Sequence, residues 1–276
     1  MKEELISKLQ RLIKLHLPES YVSDYLNDTT SLMARHNRQL AVMFADIRSF
    51  TSLSEGRSPE DLVQSLNSYF QLMADIIYTR NGTIDKYIGD AILAYFGYPA
   101  YSEATALNAV LAAIEMIDAT KGQTGSLAAY HTAVGIGFGP VSIGNVGHPN
   151  RKLDFTIIGD PVNFASRLEG LTSRYKQELL ISESVYDKIR DVLPCRMVDS
   201  VSVKDAATFV RIFTTKKDLS QQEQAAWNTH NEGMDRFYSK DSEAALKCFQ
   251  AVLENNESDG LARMMIERCQ KSMSKD

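Results

Sequence analysis

Apolar and polar positions change rhythm along this chain, and each change marks an element. Leu40–Ala45 is a continuous apolar run with β-branched and aromatic content, which predicts a strand buried on both faces. It ends in Asp46. From Leu62 the period lengthens: Leu62, Leu66, Phe70, Met73 and Ile77 share one helical face. Ser58 precedes them as N-cap, with Pro59 in the first turn and Asp61 where a capping-box acid would stand. Asn81-Gly82 stops that helix. Thr83–Phe96 then reads as two strands around Gly89-Asp90, a hairpin-turn pair. A second helix begins near Ser102, turns Leu107, Val110, Leu111, Ile114 and Ile117 inward, and stops by Lys121-Gly122. His131–Gly137 is the next strand. The order strand, helix, hairpin, helix, strand predicts a ferredoxin-like α+β core (βαββαβ) with extra strands after it.

The flanking segments carry weaker patterns. In residues 1–36, Ile6, Leu9, Ile13 and Leu17 recur at helical spacing, widened by Leu5 and Leu12, and Pro18 stops or kinks the helix. That stripe fits either a short coiled-coil arm or packing onto the domain's own core. Gly135, Gly137, Gly139, Gly144 and Gly147 mark turns or a close backbone approach. Asp160-Pro161 opens a helix whose inward stripe is Phe164, Leu168 and Leu171. Residues 178–214 read as strand, short helix and two strands. Residues 217–276 turn polar and helical. There Gly233, Phe237, Ala245 and Phe249 fit one tetratricopeptide-like helix pair, which cannot bury its own face and so needs a surface to cap.

Composition narrows the class. The chain has 276 residues, 44% of them apolar, enough for one or two domains with a real core. A net charge of −5 argues against a general nucleic-acid or anionic-membrane surface. Cys195, Cys248 and Cys269 are widely spaced and match no metal pattern, as expected of incidental thiols in a reducing cytosol. No apolar run approaches a membrane span, and MKEELISKLQ is too polar for a signal peptide. The expectation is a soluble cytoplasmic protein, or a fragment of something larger.

Two carboxylates stand in unusual settings. Asp46 closes a buried strand and is followed by Ser49-Phe50-Thr51-Ser52, a small-residue turn whose amides can face an anion. Asp90 sits at a hairpin tip that can fold beside it. Converging carboxylates repel unless a cation lies between them, and Mg²⁺ binds through one or two carboxylates plus substrate phosphates. The plainer alternatives are a turn cap at Asp46 and a surface turn at Asp90. Asn163 and Arg167, four apart on one helix face, suit an oxyanion or phosphate, or simply a solvated polar face.

Three blocks, FADIRSFTSLSE, DKYIGDAILAYFG and DFTIIGDPVNFASRLEG, occur in this order. Together they resemble the class III nucleotidyl cyclase catalytic domain from Arg38 to Thr215, and in particular bacterial adenylyl cyclases of the soluble, bicarbonate-responsive branch. The resemblance divides the chain into an N-terminal helical or transducer segment (1–36), a catalytic domain (37–216) and the C-terminal helical extension. LPESYVSDYL is similar to the segment that joins a sensor to such domains, which implies an upstream sensor as partner.

The resemblance implies an adenylyl cyclase that makes 3′,5′-cyclic AMP from ATP with two Mg²⁺ or Mn²⁺ ions per site. Asp46, Asp90 and the Ile47 carbonyl would hold the ions, and amides near Phe50 and Thr51 the phosphates. Lys86 and Thr156 would read adenine, where guanylyl cyclases carry an acid at the lysine position. Arg167 would stabilise charge on the transferring phosphate and Asn163 orient the ribose. Lys204 matches loosely a phosphate-binding lysine, without the usual glycine and second lysine after it. Ala133 stands where many relatives carry an arginine that touches the terminal phosphate.

The glycine-rich strand pair would reach across a head-to-tail homodimer with two sites. His148 in its loop reads as a surface residue. Bicarbonate as a regulator follows from Thr156, and rates in chloride and bicarbonate at fixed pH test it; equal rates remove it. The alternatives are a guanylyl cyclase and a catalytically weak dimerisation or signalling module. A diguanylate cyclase lacks its GG[DE]EF signature here.

Overall fold

β1 (Arg35–Ile47) lies at the centre of the sheet that organises the chain. It pairs antiparallel with β3 (Ala91–Phe96) on one side and with β4 (Thr132–His148) on the other. β2 (Gly82–Ile88) forms the hairpin with β3. In this computed structural model the described residues are 2–16, 22, 35–148, 150–203 and 208–274. Among them the sheet continues through β5 (Lys152–Ile158), β6 (Leu179–Ser182), β7 (Cys195–Val203) and β8 (Thr208–Thr215). The order is β2-β3-β1-β4-β6-β8-β7, with β5 paired to β4. The first four strands are in the ferredoxin-like order that the sequence predicts, and β6, β8 and β7 extend it.

β1 alternates as a doubly buried strand must. Ala41, Met43, Ala45 and Ile47 enter the core beneath α3 (Pro59–Thr79) and α4 (Thr105–Thr120). Leu40, Val42 and Phe44 enter a second cluster on the opposite face, with Ala165 of α5 (Asp160–Tyr175) and Phe155 and Ile157 of β5. α3 starts as expected, with the Ser58 hydroxyl accepting the Asp61 amide at 3.1 Å. Its most deeply buried positions include Tyr69, which the apolar pattern missed because a tyrosine reads as half polar.

Several boundaries move. The segment after Asp46 is a short helix, α2 (Phe50–Ser54), rather than a plain turn. The second helix begins at Thr105, whose hydroxyl takes the Ser102 amide at 3.1 Å. β4 runs on to His148 instead of stopping at Gly137. Its glycines serve packing. A Cβ on Gly135 would lie 2.2 Å from the Ala165 carbonyl oxygen and 2.3 Å from the Glu169 amide, so α5 rests directly on the β4 backbone.

At the N-terminus, α1 (Lys2–His16) forms, but Leu5, Ile6, Leu9 and Ile13 are exposed rather than packed on the core. Leu17 and Pro18 lie outside the described residues. None of the described helices is long and apolar enough to cross a membrane.

α6 (Glu183–Ile189) follows β6, as the reading of residues 178–214 expects. Gly233 and Phe237 fall on α7 (Gln221–Tyr238) and Ala245 and Phe249 on α8 (Ser242–Asn255), which pack together, and a further helix follows, α9 (Gly260–Met273). They dock on β7 through two buried polar nodes. Arg196 grips Asp259 with both terminal nitrogens, at 2.7 and 2.9 Å, and meets His230 Nδ1 at 2.9 Å. Burial, reinforced by Arg196, pushes the His230 imidazole down to about 3, so it stays neutral and donates through Nε2 to the Met197 carbonyl. Asp199 accepts from Tyr175 at the end of α5, from Tyr238 of α7 and from Arg268 of α9. The helix that carries Asn163 and Arg167 is therefore tied at its C-terminal end to the helical cap.

Candidate active site

The apolar series Leu40, Val42, Phe44 ends in Asp46, which keeps their direction toward α5. The Ala45↔Ile92 pairing brings the β2–β3 tip alongside, with Gly89 in a left-handed turn at φ +66° just before Asp90. The two carboxylates meet. Burial, then the hydrogen bond and charge of Asp90, then the charge of Glu169 push the Asp46 carboxyl up to about 7. The Ile47 amide donates to Asp46 Oδ1 at 2.9 Å and opposes that rise.

Two carboxylates within hydrogen-bonding reach of each other share either a proton or a cation. An all-oxygen pair suits a hard divalent ion. Among the described residues, no group of three or more His, Cys, Asp or Glu side chains forms a metal-holding cluster. The donor set therefore fits an ion that completes its shell with oxygens from outside the protein side chains, such as phosphates and water.

Around the pair, Ser49 adopts φ +57° and starts α2, so the first amides of Phe50 and Thr51 have no partner within the helix. The Phe50 ring packs edge-on against Tyr130 at 6.2 Å, and the Tyr130 hydroxyl meets Ser65 at 2.8 Å. This aromatic anchor fixes the loop beside Asp46. Ala133 is cross-strand to Asp46 and only 1% exposed. Arg48 supplies basic charge in this neighbourhood instead. Its guanidinium donates to the Gln177 carbonyl, and burial raises the Glu169 carboxyl against the opposing pull of the Arg48 charge. Sequence reading missed both residues, although each stands beside an assigned one: Glu169 two after Arg167, Arg48 two after Asp46.

The base-reading candidates also converge. β5 folds back so that the Thr156 hydroxyl donates to Asp85 Oδ2 at 2.9 Å. Lys86 Nζ lies 3.6 Å from the same oxygen and 3.7 Å from Asp154. Asp85 was not singled out in the sequence. Alternation would place it on the opposite face from Lys86, and only an irregularity between Ile84 and Lys86 brings both to Thr156.

Asn163 and Arg167 are exposed on α5, and no hydrogen bond or ion pair among the described residues links either to Asp46, Asp90 or Lys86. Lys204 lies outside the described residues. His148 is exposed, as expected, and the three cysteines are free thiols.

The family model for the adenylate and guanylate cyclase catalytic domain matches residues 32–241. The chain belongs to this cyclase family. The terminal-differentiation-specific adenylate cyclase of Dictyostelium discoideum is 33% identical over 97% of this chain, and the adenylate cyclase of Anabaena cylindrica 38% over 66%. This cyclase chain corresponds to only 13% and 38% of those relatives' lengths. The crystal structure of the adenylyl cyclase CyaB from P. aeruginosa superposes with a TM-score of 0.60 at 34% identity, over 68% of this chain and 98% of that one. The guanylyl cyclase Cya2 superposes comparably, with a TM-score of 0.61 at 30% identity over 68% of this chain and 97% of that one. Fold similarity thus spans both nucleotide specificities.

Proposed function

We propose that this cyclase domain converts ATP to 3′,5′-cyclic AMP and pyrophosphate at sites shared between two copies of the chain. The observation that carries the reading is the Asp46–Asp90 contact beside the free amides of α2. Asp46, Asp90 and the Ile47 carbonyl would hold Mg²⁺ or Mn²⁺, two ions per site by family likeness. Bound there, divalent ions supply charge neutralisation at the triphosphate and lower the pKa of the ribose 3′-hydroxyl.

The protein's own groups do the rest. The Phe50 and Thr51 amides orient the phosphates, and Lys204 is assigned to the same triphosphate. Arg167 donates to the oxygens on which charge builds as the 3′-oxygen attacks the α-phosphorus, and Asn163 positions the ribose. Both are exposed, and no hydrogen bond or ion pair engages either among the described residues, which is what a site completed by a partner copy requires. A symmetric head-to-tail dimer then contains two such sites.

Lys86 donates to the adenine ring edge, and Thr156 accepts from the exocyclic amine. The similarity to guanylyl cyclase structures keeps GTP as the second reading. Turnover of ATP and GTP by the purified chain with Mn²⁺ and Mg²⁺ separates the two. Cyclic AMP is the expected product, and Lys86→Glu is expected to lower kcat/KM for ATP by about 10²-fold or more, since it leaves the base edge facing an unpaired acid. Preferential GTP turnover by the parent, or full ATP activity in Lys86→Glu, contradicts the assignment.

A further inference from the structure

The Asp85 side chain is wholly buried, yet it belongs to the edge strand β2. Ile84 pairs with Ala94 and Lys86 with Leu93, so Asp85 is the extra residue of a bulge. The bulge lets consecutive residues approach one point. The Thr156 hydroxyl and the Lys86 ammonium both converge on Asp85 Oδ2, at 2.9 and 3.6 Å.

A hydroxyl has one proton and two acceptor sites. An ionised carboxylate only accepts, so the Thr156 proton is committed to Asp85 and the outward side of Oγ1 presents lone pairs. Burial raises the Asp85 carboxyl, and the Thr156 hydroxyl and the Lys86 ammonium beside Oδ2 oppose that rise and favour the ionised form. A lone pair facing outward complements the 6-amino group of adenine. It repels the 6-oxo group of hypoxanthine or guanine.

We propose that Asp85 is a positioning residue that fixes the direction of the Thr156 hydroxyl proton and so selects a 6-amino over a 6-oxo purine nucleotide. The inference rests on the reading of Lys86 and Thr156 as the base-reading pair, and its test separates the two. Asp85→Asn places an amide that can donate to Thr156, freeing the hydroxyl proton to point outward.

The measurement is kcat and KM for ATP and for inosine triphosphate, with the full chain. The parent favours ATP. In Asp85→Asn the ATP-to-inosine-triphosphate ratio of kcat/KM is expected to fall at least about tenfold, mostly through KM. Thr156→Val should lower the ratio similarly. In the Thr156→Val background, Asp85→Asn should change it no further, because Asp85 acts through the hydroxyl. Asp85→Glu keeps an acceptor-only group and is expected to retain the ATP preference, which provides a second test if the Asn variant does not fold.

If Thr156→Val leaves the ratio unchanged, the base-reading assignment fails. If Thr156→Val collapses it while Asp85→Asn lowers both nucleotides equally or not at all, the Asp85 inference fails alone. An Asp85→Glu variant that uses inosine triphosphate as well as ATP also overturns it.

Discussion

Asp46→Asn is expected to lower nucleotide cyclisation by at least about 10³-fold, equivalent to about 4 kcal/mol of transition-state stabilisation. The substitution keeps the shape of the side chain and removes the charge that a divalent ion needs. Its effect on stability should have the opposite sign. Without a cation, burial first, and then the neighbouring Asp90 and Glu169, raise the Asp46 carboxyl to about 7. Removing one of the repelling charges relieves the conflict, so the metal-free variant should melt at or above the parent's temperature. Added Mg²⁺ or Mn²⁺ should raise the parent's melting temperature and leave that of Asp46→Asn unmoved. Thermal melts with and without the ion, run beside a turnover assay, check both halves. Full activity in Asp46→Asn, or an undiminished shift on adding the ion, removes the metal assignment.

Arg167→Ala is the second large effect, expected to cost about 10²–10³-fold in kcat with a small change in KM. The guanidinium is assigned to charge that appears only as the phosphate transfers, so its loss falls on the transition state rather than on binding. Its exposure, and its lack of a hydrogen-bond or ion-pair partner among the described residues, also predict an unchanged melting temperature. A loss confined to KM would reassign Arg167 to ground-state phosphate binding.

Features with local causes were legible in the sequence. The buried run Leu40–Ala45 and the Gly89-Asp90 turn are short-range signals, and they place both carboxylates without tertiary information. The Asn163–Arg167 spacing on α5 is equally local. What escaped depends on long-range geometry. The inward turn of Asp85 needs a bulge whose register is set by β3. The run of β4 past Gly137 depends on α5 lying against it, since glycines alone read as turns. The sequence expects the C-terminal helices to cap a surface, but the Arg196–Asp259 pairing that clamps them to β7 joins residues far apart in sequence and could not be read from it. For α1 the apolar stripe was plain, but periodicity names no partner, and the stripe proves exposed.

The central claim is that each site takes its carboxylates from one chain and Arg167 from another. The most direct measurement mixes two inactive variants, Asp46→Asn and Arg167→Ala, and allows the dimers to exchange. About half of the dimers formed from equal amounts would be mixed, each with one intact and one doubly defective site, so activity should return to about a quarter of the parent's per chain. Failure of the mixture to regain activity, under conditions where exchange of the two chains is confirmed, would contradict the shared site.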